Sequence, residues 1–300
     1  MKKYVLIMIL VFAVMMQGCA GKGDSGAVVS DADTANEEKM EDVAETTTED
    51  VKTEETVVEP TAVPTEAPVL VLPLTTNDSG KVTIQTVTQS LPYPYNSYLI
   101  TSINGEIAVV DPTAMPKKEM ADINPVAIAC THAHPDHVDN AFTKSYDCQK
   151  LLFEVAKLTT EDFKIHSIAS SHYSDDILTN SNVFIVFEVD GLRIVHMGDC
   201  GQTVLTEEQL ADLGEIDIAF TQFENSYSAM TLENEKGFNL IEQLNPKIII
   251  PTHYTDAGLA ELETRYGAVT EFENIMEISK EDLPEDTMNV YRILNTHNYR

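Results

Sequence analysis

The sequence predicts an α/β domain in which helices cover the outer faces of β-sheets. In the first half of this domain, the apolar segments alternate with polar residues or flank tight turns, as in β-hairpins. In the second half, apolar segments alternate with amphipathic stretches that carry helix-capping residues. Several predicted strands stop at polar loops that contain histidine or aspartate. The edges of the predicted sheets therefore carry the residues most suited to chemistry.

Residues 1–19 have the features of a secretion signal. Lys2 and Lys3 precede the apolar run 4–16, which is too short to favour a transmembrane helix. Cys19 follows a glycine, an arrangement that resembles the bacterial lipobox, in which this cysteine is lipidated and becomes the mature N-terminus. We expect an extracytoplasmic lipoprotein anchored to the cell membrane through lipidated Cys19. An ordinary secreted protein and an uncleaved anchor are the alternatives.

Residues 20–80 have the composition of a disordered acidic tether. They include 15 acidic and 3 basic residues, a net charge of −12, and no aromatic residue. Glutamate, threonine and proline are frequent, and such a segment buries too little apolar surface to offset the entropy lost on ordering. We expect a solvated spacer, with a partner-binding acidic tail as the alternative.

Residues 81–300 are long enough for one domain with a substantial core. They carry 34 acidic and 14 basic residues, a net charge of −20. A field of this sign opposes binding to nucleic acid, so no nucleic-acid partner is expected. Cys130, Cys148 and Cys200 remain after lipidation of Cys19, so at most one disulfide can form within the chain.

Hairpins dominate the first half of this domain. Residues 82–88 alternate apolar and polar side chains and predict a strand. Asn104-Gly105 separates the apolar runs 99–103 and 106–110, a strong signal for a two-residue hairpin turn. The other predicted elements here are a tyrosine-containing loop at 91–98, a short helix at 116–121, a buried strand at 126–130, a helix at 138–145 and a strand at 149–153.

Strands and helices alternate in the second half. Asp190-Gly191 joins the apolar runs 183–189 and 192–197 in a second hairpin. Thr206 and Gln209 form a capping box that opens a helix closed by Gly214. The remaining predicted elements are strands at 164–169, 216–221, 247–250 and near 288–294, and helices at 232–244 and 257–265.

The stretch 131–140 contains the most informative motif. It follows the predicted strand 126–130, and Pro135 prevents a helix from running through it. Four candidate ligands fall close together here: His132, His134, Asp136 and His137. Imidazole and carboxylate groups bind zinc and similar divalent metals. This loop therefore predicts a metal site.

Three further candidate ligands stand just after a strand or in a short polar loop: His172, Asp199 and His253. Strand ends converge at one edge of a layered fold, so ligands far apart in sequence can meet there. We therefore expect these side chains to lie beside the 131–140 loop.

The order of these motifs resembles the metallo-β-lactamase superfamily. The matching elements are His-x-His-x-Asp-His at 132–137, His172, Gly-Asp at 198–199 and Pro-Thr-His at 251–253. The closest likeness is to a compact branch of metal-dependent hydrolases that includes the ascorbate-6-phosphate lactonase type. The resemblance spans about residues 81–295. It implies a four-layer αββα sandwich and is specific for the fold, not for the substrate.

The resemblance also implies two divalent metal ions, with zinc expected and manganese or iron as alternatives. Carried over by position, one ion would be held by His132, His134 and His172, the second by Asp136, His137 and His253, and both by a bridging Asp199. Two such ions lower the pKa of a bridging water to near neutrality and polarise the substrate oxygen. Asp136 has a second, catalytic role, in orienting the resulting hydroxide or in passing a proton to the leaving group.

Some assignments have competitors. His166 competes with His172, which we prefer because it lies in a polar loop, whereas His166 lies in a predicted strand. Asp111 and Asp139 are candidates to hydrogen-bond the ligand imidazoles. Three residues are left out of the site: His196, Cys200 and His297.

These features predict a metal-dependent hydrolase acting on a small-molecule ester, lactone, amide or phosphoester. Two alternatives stay open: a phosphodiesterase or nuclease, and a non-catalytic surface lipoprotein that binds metal or ligand. Residues 222–230, Gln-Phe-Glu-Asn-Ser-Tyr-Ser-Ala-Met, replace a glycine-rich turn of the relatives. Because bulky and charged groups stand there, no substrate is carried over from the resemblance.

Overall fold

The computed structural model describes most of the predicted domain, in five ranges: 72–73, 77–86, 97–116, 121–286 and 288–295. The predicted signal peptide, most of the predicted tether and most of the loop at 91–98 lie outside these ranges. The described fold includes Leu72–Pro73 and residues 77–80, within the segment assigned to the tether. Asn77 Nδ2 donates a hydrogen bond to the carbonyl oxygen of Ser102 at 3.0 Å.

The described strands, in chain order, are β1 (Leu72–Pro73), β2 (Val82–Thr86), β3 (Tyr98–Thr101), β4 (Ile107–Val110), β5 (Ala121–Asp122), β6 (Ala127–Cys130), β7 (Gln149–Leu152), β8 (Lys157–Thr159), β9 (Phe163–Ser170), β10 (Asn182–Val189), β11 (Leu192–His196), β12 (Ile218–Thr221), β13 (Ile248–Pro251), β14 (Thr270–Glu273), β15 (Ile275–Ile278) and β16 (Asn289–Leu294). The α-helices are α1 (Asn140–Ser145), α2 (Glu207–Leu213), α3 (Lys236–Leu244) and α4 (Asp256–Tyr266). Short 3₁₀ helices span Ile177–Thr179, Ser226–Ser228 and Lys280–Asp282.

These strands form two large sheets and one short parallel pair. The six-stranded sheet has the order β15-β2-β3-β4-β6-β7, and the eight-stranded sheet has the order β14-β16-β13-β12-β11-β10-β9-β8. Hairpin strands run antiparallel, as β10 and β11 do, whereas β11, β12 and β13 are parallel neighbours. β1 pairs in parallel with β5. The polar loops discussed below follow the carboxyl ends of β6 in the six-stranded sheet and of β9, β11 and β13 in the eight-stranded sheet.

The main apolar core lies between the two large sheets. Side chains alternate along a strand, so every second residue faces inward. Ile84, Ile100 and Val110 of the six-stranded sheet belong to the same buried cluster as Ile185 and Phe187 of the eight-stranded sheet. Burial of such side chains contributes about 1.5–3 kcal/mol each, so this layer supplies much of the stability of the fold.

Helices cover the outer faces of both sheets. Val109 and Ile128, on the outer face of the six-stranded sheet, pack in one cluster with Phe142 of α1. On the outer face of the eight-stranded sheet, a separate cluster includes Phe238 of α3 and Leu262 of α4. The layers are therefore helix, sheet, sheet and helix, and the predicted four-layer αββα sandwich is confirmed. Within the described residues, no helix has the length and apolar character needed to cross a membrane.

Several local predictions are confirmed. Asp190 and Gly191 both have positive φ angles, of 46° and 81°, as a two-residue hairpin turn of type I′ requires. Thr206 and Gln209 form both hydrogen bonds of the capping box, and Gly214 ends α2. The three cysteines of the domain are free thiols.

Other predictions are wrong in detail. The first hairpin has a three-residue loop, because Ser102 N donates to Glu106 O and Gly105 takes the left-handed position at φ 95°. The helix predicted at 232–244 begins at Lys236, since Asn234 Oδ1 accepts from Lys236 N and holds the preceding residues in a turn. Ala121, the end of the predicted helix at 116–121, lies in β5.

Besides the two-residue strands β1 and β5, three strands were not predicted: β8, β14 and β15. All three are short, and most of the side chains of β8 and β14 are exposed or half-buried. Each of the three is an edge strand of one of the two large sheets. Edge strands lack the continuous apolar run that identifies a buried strand.

Candidate metal centre

The seven predicted ligands come from four loops that follow strands. His132, His134, Asp136 and His137 lie in the loop between β6 and α1. The other three follow strands of the eight-stranded sheet: His172 after β9, Asp199 after β11 and His253 after β13. In the first loop, His137 N donates to His134 O at 2.9 Å, and Thr113 Oγ1 donates to Pro135 O at 3.0 Å. These bonds fold the loop back so that its side chains face the other three.

The structure brings all seven side chains together in two groups. In each group, one ligand atom from every member lies within 4.8 Å of the others. The first group contains His132, His134, His172 and Asp199, and the second contains Asp136, His137, His253 and Asp199. This is the same division that the resemblance implies.

Asp199 belongs to both groups, and each of its oxygens faces one of them. Oδ2 lies 3.4 Å from His172 Nε2 and 3.8 Å from His132 Nε2. Oδ1 lies 3.1 Å from His137 Nε2 and 3.2 Å from His253 Nε2. A carboxylate in this position can bridge two cations, one on each oxygen.

The buried polar atoms of the site fit metal ligation. His132 Nε2, both ring nitrogens of His172, and Asp199 Oδ1 are buried without a hydrogen-bond partner among the described residues. An unpaired buried polar group costs about 1–3 kcal/mol, and native structures rarely leave several such atoms together. Three of these four atoms, His132 Nε2, His172 Nε2 and Asp199 Oδ1, point at the other ligands of their group. A cation in each group would satisfy all three.

The protonation states of the buried ligands also suit a cation. Burial lowers the pKa of His132 to about 2, and the charge of His137 acts in the same direction. Burial would raise the pKa of Asp199, but the charge of His137 and the close imidazole rings of His172 and His253 hold it well below its usual value. His132 is therefore neutral and Asp199 ionised at neutral pH, as metal ligation requires.

His137 differs, because two carboxylates face it. Burial alone would lower the pKa of His137, but the charges of Asp199 and Asp111 raise it well above its usual value. In the metal-free site the imidazolium balances these two buried charges. With a cation held in the second group, His137 would no longer need this charge, and its Nε2 would lose its proton and be free to act as a ligand.

Asp111 holds His137 from behind, as predicted. It is fully buried, and its Oδ2 lies 2.6 Å from His137 Nδ1. Thr131 completes the arrangement: its N donates to Asp111 Oδ1 and its Oγ1 donates to Asp111 Oδ2, both at 2.7 Å. Because Asp111 accepts a hydrogen bond from Nδ1, the Nε2 atom is left to face the second group.

Asp139 does not have the predicted role. Its Oδ1 accepts hydrogen bonds from Ala141 N and Phe142 N, both at 2.9 Å, and so caps α1. The acidic residue that ends a histidine-rich loop is here the start of a helix. The capping role could have been recognised from the sequence, because aspartate is a preferred N-cap residue and a predicted helical segment follows Asp139.

The residues left out of the site lie outside both groups. His166 is half-buried on β9, which favours His172 as the ligand. His196 is a buried sheet residue that stacks on Phe220. Burial raises the pKa of Cys200 to about 12, so this thiol stays protonated. His297 lies outside the described residues.

Besides Thr131, whose Oγ1 lies 3.1 Å from His132 Nδ1, sequence reasoning missed two residues whose side chains contact ligand side chains. Asn225 Nδ2 donates to Asp199 Oδ2 at 2.7 Å. The hydroxyl of Tyr173 lies 3.4 Å from His134 Nε2, and its ring centroid lies 4.3 Å from that of His172. The sequence offered one signal for each of them, namely where it stands in the chain. Tyr173 directly follows a predicted ligand, and Asn225 lies in the segment that departs from the relatives.

Comparisons with known proteins agree with this site. A family model described as a β-lactamase superfamily domain matches residues 93–253, more than half of the chain and all seven candidate ligands. A protein from Enterococcus faecalis described as a metal-dependent hydrolase is 24% identical over 163 residues, which cover 45% of this chain and 70% of that protein.

A solved structure from Thermotoga maritima, described as a candidate Zn-dependent hydrolase of the metallo-β-lactamase superfamily, shares the fold. It aligns with a TM-score of 0.52 at 19% identity and covers 71% of this chain and 100% of that one. At this identity the likeness concerns the fold alone. The family match, the αββα layers and the paired ligand groups together place the chain in the metallo-β-lactamase superfamily of metal-dependent hydrolases.

Proposed function

We propose that this protein is an extracytoplasmic hydrolase that uses two divalent metal ions, with zinc the expected metal, to cleave a small-molecule ester, lactone, amide or phosphoester. The observation that carries the proposal is the buried Asp199 carboxylate, whose two oxygens each face a separate group of histidines. A structural metal site needs one closed group of ligands. Two groups that share one carboxylate are instead typical of sites that activate water and bind a substrate oxygen.

The residues that would hold the ions follow from the two groups. His132, His134 and His172 would hold one ion, Asp136, His137 and His253 the other, and Asp199 both. When bound, such ions lower the pKa of water in the site and act as Lewis acids toward the substrate oxygen.

The exposed side of the site indicates where the substrate enters. Most of the ligands are buried, but the side chains of Asp136 and His253 are 16% and 20% exposed, and His134 is also partly exposed. Asp136 Oδ2 lies 3.8 Å from both His137 Nε2 and His253 Nε2. As the accessible carboxylate of its group, Asp136 is placed to transfer a proton to the leaving group, the catalytic role proposed for it here.

The charge of the domain and an exposed aromatic side chain bear on the kind of substrate. The acidic domain opposes polyanions, which disfavours the nuclease alternative. Tyr173, 58% exposed beside His134, offers an aromatic face at the rim of the site.

We further propose that the hydrolase is attached to the outer face of the cell membrane through lipidated Cys19. The lysine-rich start, the apolar run and the glycine before this cysteine support the proposal. In the producing cell, Cys19→Ser should move the protein from the membrane fraction to the soluble fraction. Continued membrane retention of Cys19→Ser would instead indicate an uncleaved anchor.

The metal proposal is tested by elemental analysis of the purified full chain. Wild type should contain two ions per chain, and both Asp199→Ala and His134→Ala should contain fewer. His166→Ala removes a histidine outside the site and should keep the wild-type content. A screen of lactones, esters and phosphodiesters, with and without a chelator, then links the metal to hydrolysis.

Two results would contradict the proposal. If the wild-type chain binds no zinc, manganese or iron after reconstitution, the protein is a ligand-binding lipoprotein on an inherited fold. If a hydrolytic activity survives complete removal of the metal, the reaction does not use the ions and the mechanism above is wrong.

A further inference from the structure

The segment 222–230, which replaces a glycine-rich turn of the relatives, lies against Asp199. It forms the 3₁₀ helix Ser226–Ser228, and the backbone of Asn225 pairs with that of Met230 to close it. Asn225 is 8% exposed, and Gln222 and Ser228 are fully buried. Because burial of a polar group without a hydrogen-bond partner is costly, each of these three side chains is expected to have such a partner.

The amide of Asn225 is fixed at both ends. Its Nδ2 donates to Asp199 Oδ2 at 2.7 Å and to Gln222 Oε1 at 2.8 Å. Its Oδ1 accepts from Tyr227 N at 3.0 Å and caps the 3₁₀ helix. Both amide hydrogens and the oxygen are therefore used, which leaves the side chain one orientation.

Gln222 and Ser228 extend this arrangement to the backbone of the strand end that carries Asp199. Gln222 Nε2 donates to Cys200 O at 2.9 Å and to Ser228 Oγ at 3.1 Å. Ser228 Oγ in turn donates to Asp199 O at 3.1 Å. The segment thus holds the main chain and the side chain of Asp199 together.

The carboxylate of Asp199 needs such support. The terminal torsion of an aspartate is soft and has no sharp preferred angle. Among the described residues outside the two ligand groups, Asn225 is the side chain that hydrogen-bonds to this carboxylate. The bond pins Oδ2 on the side of His132 and His172, and so leaves Oδ1 facing His137 and His253.

We propose that Asn225 is a positioning residue that assigns the two oxygens of Asp199 to the two metal groups. This inference rests on the proposed two-metal function and gives the 222–230 segment a role in it. Removal of an outer hydrogen-bond partner of a metal ligand costs about 10–100-fold in metal affinity. Without Asn225, the carboxylate is free to rotate away from the first group, and that group should lose affinity.

The test separates the bond to Asp199 from the capping of the 3₁₀ helix. Asn225→Ser keeps a side-chain oxygen that caps Tyr227 N, but it is too short to reach Asp199. Asn234→Ser is the matched control, because Asn234 lies in the following turn, accepts from Thr231 N and Lys236 N, and has no hydrogen bond to a ligand. Both variants and wild type, as full chains stripped of metal, are titrated with Co²⁺ while the visible absorption bands and the melting temperature are recorded.

Wild type and Asn234→Ser should bind two Co²⁺ ions with the same affinities and the same spectrum. Asn225→Ser should bind one ion normally and the other about 10–100-fold more weakly, with the absorption bands of the first group changed. Wild-type affinities and bands in Asn225→Ser would overturn the inference and leave the two-metal proposal standing. An equal loss in both groups, or the same loss in Asn234→Ser, would also overturn it, because it would indicate general damage to the segment. Failure of wild type itself to bind two ions would instead overturn the proposed function and this inference with it.

Discussion

Replacing Asp111 with asparagine should weaken metal binding by the second group while preserving the fold. Asp111 has a φ angle of 45°, in the left-handed region, where asparagine is also well tolerated. The hydrogen bond from Thr131 N to Oδ1 is kept in the variant. What changes is the atom that faces His137 Nδ1, which becomes an N–H donor instead of a carboxylate oxygen.

The expected magnitude follows from the tautomer of His137. An N–H donor at residue 111 requires Nδ1 to accept, so the ring proton moves to Nε2. Nε2 is the atom that lies 3.1 Å from Asp199 Oδ1 and 3.3 Å from His253 Nε2. A protonated Nε2 is no longer a metal ligand. We expect the affinity of the second group to fall about 10–100-fold, or about 1.4–2.7 kcal/mol.

The assay is a metal titration of Asp111→Asn followed by calorimetry, with Asp139→Asn as the matched control. Asp139 caps α1 through its Oδ1, and asparagine is an equally good cap, so the control should keep both affinities. Two ions bound with wild-type affinities in Asp111→Asn would refute the reasoning from the tautomer. A loss in both groups would also refute it, because only the second group contains His137.

Two further predictions concern the surroundings of the site. Gly201→Ala should unfold at a lower urea concentration than wild type and should lose metal, because a Cβ at this position would stand 2.1 Å from the carbonyl oxygen of His172. The control is Gly105→Ala, whose Cβ would meet nothing within 4 Å, so that urea unfolding should show only the cost of backbone strain, about 1–2 kcal/mol. Burial raises the pKa of Cys148 and raises that of Cys200 to about 12. In folded Cys19→Ser, in which only the cysteines of the domain remain, alkylation should therefore be slow at pH 8 and faster as the pH rises, with Cys148 modified first. Rapid modification of Cys200 in the folded protein, identified by mass spectrometry, would contradict its burial.

Most of the buried strands and the seven candidate ligands could be predicted because their signals are local, whereas the four layers were implied by the resemblance of the motif order. The predicted strand at 126–130 is a short apolar run that ends at Cys130, just before the histidine-rich loop that contains Pro135, and β6 and the metal loop form there. The choice of His172 over His166 also followed from local context, because a loop side chain can turn toward a site and a strand side chain is committed to one face. Strong short-range patterns of this kind can be recognised in the sequence without knowledge of the tertiary fold.

The supporting residues could not be predicted in the same way, since their partners are distant in the chain. Asp111 was found because it follows a strand, but the equally plausible Asp139 proved to be a cap. Asn225 bonds to a residue 26 positions earlier, and no local pattern marks such a contact. The edge strands β8 and β14 were missed for a related reason, since their pairing depends on neighbours and not on their own apolar content.

Both ligand groups draw on both sheets. The 132–137 residues follow a strand of the six-stranded sheet, whereas His172, Asp199 and His253 follow strands of the eight-stranded sheet. A single ion held in either group would therefore cross-link the two halves of the sandwich, and it would stabilise only the state in which the sheets are docked. Neither sheet alone offers a complete group, so full metal affinity would require both sheets to be in place. Occupancy of the centre would thus report that the sandwich has been assembled.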